Sequence, residues 1–473
     1  MSSLRHQAMN TEPQVIIVGG GFSGAAVAIE LLRLAPEGVR VILLEPRAVP
    51  GAGVAYSTTE PSHRINVPAA RMRLADEEEG AFDRWYRRQA AFADDPQALR
   101  EEGTVYPQRA QFGVYVAQRF ANAARNSGGR LTHLREQALT FDERGVTTDT
   151  GRLLEADLLV LAISHPPPSL PRLVAPFSDH PALIANPWRP EVLTAIASNA
   201  RVAVMGTGLT MADTLAAMTR LGHRGPVTAF SRRGLLSRSN LSGESEEWPG
   251  DYRQGTLRQR LRRIREDISR AAEQGLPWQV VLDAVRNQGQ TIWQGLTFAD
   301  RQRFLRHLRS YWDVHRYRIA PQAADVLSQR SNDGSLKVLA ARLTALDSDT
   351  GTLTLTLSPR RGQPCTLTVD HLILTTGPAH NALTESQPLL QELTRRGLIR
   401  ADALGLGLDV DARSHAIGRE GQSMPKILVC GPAARGRFGE LMGLPQVADH
   451  AAAIAGETLA TLGFSLPARC PVS

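Results

Sequence analysis

Two short stretches limit what this chain can fold into. "IIVGGGFSGAAVAIE" (Ile16 to Glu30) and "VMGTGLTMADTL" (Val204 to Leu215) each read as a buried strand, a glycine turn and the start of a helix. A strand that turns through glycines directly into an apolar helix is the opening of a βαβ unit, and that unit builds parallel sheet. The two stretches lie nearly 190 residues apart in a chain of 473. That length exceeds one ordinary core and predicts two or three domains. The expected class is therefore α/β, with two Rossmann-like dinucleotide-binding domains.

The rest of the chain fits this frame. After the first turn, an apolar helix runs to Leu34, and "VRVILLEP" (Val39 to Pro46) is a second strand. "LLEADLLVLAIS" (Leu153 to Ser164) is another buried strand, ended by the stiff "HPPPSLP" (His165 to Pro171). A new βαβ unit starts at Arg201, with a helix from Leu209 to Leu221 and then the strand "PVTAFSRRG". Residues 255–320 are charge-rich and helical, and strand patterns return from Leu336. "KILVCGP" (Lys426 to Pro432) is a last buried strand before a C-terminal helix.

Charge narrows the function classes. The net charge is +7, from 54 basic and 47 acidic residues, yet only Lys337 and Lys426 are lysines. The arginines are scattered, whereas a nucleic-acid surface concentrates charge on one element. The densest run, "LRQRLRRIREDISR" (Leu257 to Arg270), carries Leu257, Leu261, Ile264 and Ile268 at helical spacing. It reads as an amphipathic helix with a solvated basic face, anion binding being the alternative. Cys365, Cys430 and Cys470 form no CxxC pair and no metal-spaced cluster, so no metal site is expected. The first 12 residues read as a disordered leader without an apolar signal region, and no apolar run reaches membrane length. A cytoplasmic protein is expected.

The glycines carry the chemistry. Gly19, Gly21 and Gly24 give G-x-G-x-x-G. The first permits a tight turn, the second lets backbone amides approach a pyrophosphate, and the third allows close packing of helix on strand. Glu45 ends the next strand, 21 residues after Gly24. A carboxylate there accepts from both ribose hydroxyls and repels a 2′-phosphate, which fits FAD or NAD. Gly206 and Gly208 repeat the turn, with Ala212 in the third place. The following strand ends in Ser231, Arg232, Arg233 and Gly234. A guanidinium suits a phosphate dianion, so this unit reads as an NADP(H) site with Arg232 or Arg233 on the 2′-phosphate. Ordinary solvated arginines are the alternative.

These motifs, with "GAGVAYST" (Gly51 to Thr58), "INVPAARM" (Ile65 to Met72), "VYPQRAQFGVYV" (Val105 to Val116), "YWDVHRYRIAP" (Tyr311 to Pro321), "LTTGP" (Leu374 to Pro378) and "CGPAARG" (Cys430 to Gly436), resemble the YdhS-type FAD/NAD(P)-binding proteins. That family is distantly related to the two-dinucleotide flavoprotein monooxygenases and reductases. The resemblance implies an FAD domain split by an inserted NAD(P) domain. The expected parts are 13–170 and 336–473 for FAD, and 198–335 for NAD(P), including a helical segment at 255–320. The expected FAD contacts are Gly19, Gly21, Phe22, Ser23, Gly24, Glu45, Pro46, Gly53, Val54, Tyr56, Asn66, Val67, Arg109, Gly377, Gly431 and Pro432. For NADP(H) they are Gly206, Thr207, Gly208, Leu209, Thr210, Ser231, Arg232 and Arg233. Asn66, with a donor and an acceptor, is the one catalytic candidate, a turn cap before Pro68 being the alternative. Arg109 faces either an anion or a surface partner, and His63, His315 and Trp312 are candidates for a pocket wall. One departure concerns "RGRFGELMGLP", where Phe438 and Gly439 precede Glu440 in place of the family's Trp-Glu pair, so the pocket differs in shape.

Two sites of opposite ribose preference imply two cofactors, with NADPH reducing FAD. The expected activity is monooxygenase-like, through a flavin C4a-hydroperoxide, with oxygen and a small-molecule substrate as partners. The alternatives are an NAD(P)H dehydrogenase or oxidase, and a non-catalytic flavin-binding redox sensor. A disulfide reductase would need a thiol pair that this sequence lacks.

Overall fold

A strand buried on both faces must pair all its backbone groups within a sheet, and the apolar runs do so in two separate parallel sheets. The computed structural model describes residues 12–465, except 36, 164, 242, 244 and 245. The expected leader, apart from Glu12, and Cys470 lie outside the described residues.

The first lobe begins with β1 (Gln14–Val18), α1 (Phe22–Leu34) and β2 (Arg40–Leu44). It continues through α2 (Arg109–Asn126) and β3 (Leu131–Leu134). A small antiparallel sheet of β4 (Ala138–Asp142), β5 (Gly145–Thr148) and β6 (Leu153–Leu154) leads to β7 (Leu158–Leu161). The chain then crosses into a second lobe, with β8 (Leu183–Ile184), β9 (Val202–Met205), α3 (Leu209–Arg220) and β10 (Val227–Ser231). A helical insertion follows: α4 (Leu257–Glu273), α5 (Trp278–Asn287), α6 (Gly289–Gln294), α7 (Phe298–Arg303), a wide π-type turn at Phe304–Leu308, and α8 (Arg309–Arg316). After α9 (Pro321–Asn332), the lobe closes with β11 (Leu336–Asp349), β12 (Thr352–Pro359), β13 (Cys365–Val369) and β14 (His371–Leu374). The chain returns with β15 (His415–Ile417), β16 (Ser423–Val429) and α10 (Gln446–Thr461).

The first sheet has the order β15-β16-β7-β1-β2-β3, and the second β13-β12-β11-β10-β9-β14-β8. One expected boundary moves. β11 pairs with β10 (Val338 opposite Ala229) and β14 pairs with β9 (Leu372 opposite Ala203), so residues 336–374 complete the second sheet and not the first. The second lobe therefore also begins earlier than 198, at β8. Strand periodicity marks a strand but does not name its neighbour, which is why the boundary fell at 335.

Two ion pairs tie the lobes together, the first buried and the second reaching solvent. Arg109 on α2 bonds both carboxylate oxygens of Asp213 on α3, at 3.1 and 3.2 Å. Arg220 at the end of α3 grips Glu60 at 2.6 and 2.7 Å. The two covalent crossings lie side by side: the Ala379 amide donates to the Pro167 carbonyl, and the rings of His165 and His380 meet edge to face at 5.0 Å.

Candidate functional site

The first glycine turn is built to leave space. A Cβ on Gly24 would lie 1.9 Å from the Gly19 carbonyl oxygen, and Gly19 sits at a φ of 102°. Gly53 crosses directly over Gly21, and a Cβ on Gly53 would meet the Gly21 Cα at 3.0 Å. No side chain caps the N-terminus of α1, so its first amides are left for an outside acceptor. The buried Glu45 carboxylate accepts from the Gly20 amide at 2.9 Å and from the Arg47 amide at 3.0 Å. Each oxygen keeps a lone pair toward the turn, where a ribose would lie. On the other side, Gly431 backs onto Ser23, whose Oγ lies 2.5 Å from where a Cβ on Gly431 would sit. The Gly431 amide donates to Nδ1 of buried His450 at 3.1 Å. That makes Nε2 the protonated nitrogen, which donates to the Ser414 hydroxyl at 3.0 Å. Burial holds the His450 pKa down at about 4.

Other expected residues divide between ligand-facing and structural positions. Tyr56, Asn66, Val67 and Arg109 line a cavity of about 230 Å³ together with Met442, Gly443 and Leu444. Burial pushes the Tyr56 phenol up to about 12, so it stays protonated. The Asn66 carbonyl receives Asn240, which also reaches the Ile319 carbonyl, so this strap joins the lobes. Phe22 packs on Phe112 at 5.7 Å in the core, and only its backbone faces the turn. Pro46 and Val54 are exposed. Arg109 is committed to Asp213 and to the Arg64 carbonyl, so its charge is spent on holding the lobes together rather than on a free anion.

In the second turn, Gly206 sits at a φ of 121° with Thr375 packed behind it, and Gly208 faces open space before an uncapped α3. Thr207 is buried and turns inward, bonding the Ser231 hydroxyl at 2.8 Å and the Leu235 carbonyl at 2.6 Å. Ser231 in turn accepts from the Gly234 amide. These two hydroxyls shape the loop that presents the arginines. Arg232 is exposed and makes no ion pair among the described residues, while Arg233 lies over the Tyr311 ring at 4.8 Å. Hydrogen bonds from Arg233 and Arg360 hold the Tyr311 hydroxyl below the usual phenol range. Tyr311 opens the "YWDVHRYRIAP" motif on α8, whereas Arg360, which follows β12 directly, escapes a reading of local motifs.

The second turn opens on the junction of the lobes. A cavity of about 1000 Å³ is lined there by Gly208, Leu209 and Thr210, by Thr375, Gly377 and Pro378, and by the helical insertion. Trp312 and His315 lie on its wall as expected. His63 is instead packed on Trp188 and bonded to Thr58. Glu440, from the departing "RGRFGEL" segment, accepts from Arg316 at 2.8 Å and from Trp312 Nε1 at 3.1 Å, locking the insertion to the first lobe. Met442, Leu209 and Tyr317 line both cavities, so the two spaces adjoin.

Comparison with known proteins agrees with this architecture. Residues 16–166 match a protein-family model described as FAD-NAD(P)-binding. No curated protein matches the chain. Among solved structures, the fold is similar to an ornithine hydroxylase from Pseudomonas aeruginosa in its reduced form (TM-score 0.63, 14% identity, 95% of this chain and 99% of that one). It is also similar to a Kutzneria ornithine N-hydroxylase described with reduced FAD, NADP+ and L-ornithine (TM-score 0.62, 15% identity, 95% and 99%). A third is a bacillithiol disulfide reductase from Staphylococcus aureus (TM-score 0.53, 15% identity, 95% and 98%). The chain has the fold of the two-dinucleotide-domain flavoproteins. Among the described residues, no helix is long and apolar enough to cross a membrane.

Proposed function

We propose that this chain is an FAD-dependent oxidoreductase reduced by NADPH, of the monooxygenase kind, within the YdhS-type group that its motifs resemble. One observation carries the reading. Two uncapped helix N-termini stand one in each lobe, the first beside a buried carboxylate and the second, on the junction cavity, beside the exposed Arg232 and the Tyr311-held Arg233. The first suits a resident FAD held by Gly19 to Gly24, Glu45, Gly53 and Gly431. The second suits a 2′-phosphorylated nicotinamide donor held by Gly206 to Thr210 and the Arg232–Arg233 pair. FAD held there would supply a hydride acceptor for NADPH and a two-electron donor to oxygen, so that one oxygen atom could enter the substrate and the other leave as water. The protein's part is to orient both rings and to exclude water with the insertion. Similarity to hydroxylases supports the oxygen-inserting form over a plain dehydrogenase. A disulfide exchange is not favoured. Cys430 is buried with its thiol pKa pushed up by burial, and Cys365 lies exposed in the other sheet.

The test is spectroscopic. Purified protein should carry a flavin spectrum that NADPH bleaches without oxygen and that oxygen restores. Protein that cannot retain FAD refutes the reading, and bleaching by NADH alone refutes the arginine assignment.

A further inference from the structure

The junction cavity has a charge balance that bears on its ligand. Much of its wall is apolar, with Leu261, Ile264 and Ile268 of α4, Leu282 of α5, and Phe304 and Leu308 of the π-type turn. Its two carboxylates are both occupied. Asp313 pairs with Arg309 at 3.3 Å, and burial raises its pKa; Glu440 pairs with Arg316 at 2.8 Å. Two lining arginines are in the opposite condition. Arg435 and Arg260 are each only 6% exposed, and neither has an ion pair among the described residues. Arg435 bonds only the Leu406 carbonyl and the Met442 sulfur, and Arg260 bonds the Arg253 carbonyl. A guanidinium in a low-dielectric wall without a counter-ion is costly, and an anion beside it removes that cost.

Resting on the functional reading above, we propose that the substrate is an apolar carboxylic acid whose carboxylate pairs with Arg435 and whose body lies along the α4–α5 wall. Arg260 adds positive potential to the same space. An alkylammonium meets the reverse: among the described residues, the cavity offers no free carboxylate, while Arg435 and Arg260 are buried and unpaired and the exposed Arg265 is unpaired as well. The structurally similar ornithine hydroxylases are named for an amino acid that carries two amines beside its carboxylate, and only the carboxylate would find a partner in this cavity.

The experiment uses FAD-loaded full-length protein with saturating NADP+. Three ten-carbon probes of one shape are compared: decanoate, decanol and decylamine. Binding is read from the fluorescence of Trp278, Trp293 and Trp312, all on the cavity wall. Decanoate should bind about tenfold or more tighter than decylamine, as one charge-assisted hydrogen bond in a buried site implies. Arg435→Met should remove that advantage and leave decanol unchanged. Because Arg435 also braces Leu406, a second variant is needed. Leu261→Glu on the half-exposed wall should weaken decanoate and tighten decylamine. Equal or tighter decylamine binding overturns the proposal. So does displacement of decanoate by NADP+, which would give the arginines to the dinucleotide. Flavin reduction by NADPH is followed in the same samples. Reduction without decanoate binding defeats the substrate class alone; decanoate binding without reduction defeats the oxidoreductase reading, and with it decanoate's role as substrate.

Discussion

Glu45 and the Arg232–Arg233 pair close equivalent strands, and on the proposed reading their charges sort the two dinucleotides. Arg232 has no partner to lose, whereas Arg233 is already held over Tyr311 beside Arg360. The 2′-phosphate should therefore be gripped by a pre-ordered group and one free arm. Losing a charge-assisted bond costs roughly 1.5–3 kcal/mol. Arg233→Ala should thus raise the KM for NADPH about tenfold or more and leave NADH unchanged; an equal loss for both would contradict the assignment. Tyr311→Phe should give a smaller change of the same kind, since it removes orientation and keeps the charge. Gly24→Ala is the counterpart at the first site. Its Cβ would sit 1.9 Å from the Gly19 oxygen, so the variant should purify without flavin absorbance.

At the level of elements, the turns were legible because their information is local: strand, glycine, helix and the charge that closes the next strand lie within some 30 residues. What stayed hidden depends on pairing at a distance. Strand periodicity at 352–359 could not say that β12 extends the second sheet through β11. Nor could "RGRFGEL" say that Glu440 would meet Trp312 and Arg316 from an insertion more than a hundred residues earlier. Arg109 is the instructive case. Its place at the start of α2 left a ligand anion or a surface partner open, and α3 supplied a buried partner instead, Asp213, a residue of the second glycine motif itself. Cutting a buried pair leaves one charge stranded, at about 3–5 kcal/mol. Asp213→Ala should destabilise the protein by that order in thermal or urea unfolding, and Asp213→Ala with Arg109→Met should recover much of it. A double variant no better than the single one would mean that the pair is not the tie described here.

For the whole molecule, pH acts through buried histidines. Burial depresses the pKa of His450 to about 4 and of His380 to about 3, from an ordinary value near 6.5. The unfolded chain therefore takes up these protons first as pH falls. Stability should be full above pH 6.5 and decline progressively as pH drops from there through 4. His450 ties this slope to the first dinucleotide site, because a proton on Nδ1 takes the acceptor away from the Gly431 amide. FAD should be released in the same acid range, and His450→Gln should flatten the stability profile there. A wild-type melting temperature that is flat from pH 7 to pH 4 would contradict both.

The two covalent crossings bear on how the halves can move. A body fastened at two distant points is nearly fixed, but here the cords touch, with Ala379 bonded to Pro167 and His165 against His380. They form a single spine, like the binding of a book. On the proposed reading, the second lobe would open about that spine as one leaf, also parting the Asn240–Asn66 strap and the Glu440 contacts with Trp312 and Arg316. The Arg109–Asp213 and Glu60–Arg220 pairs then serve as clasps on the free edge. Release of a spent dinucleotide would require those clasps to part while the spine stays intact.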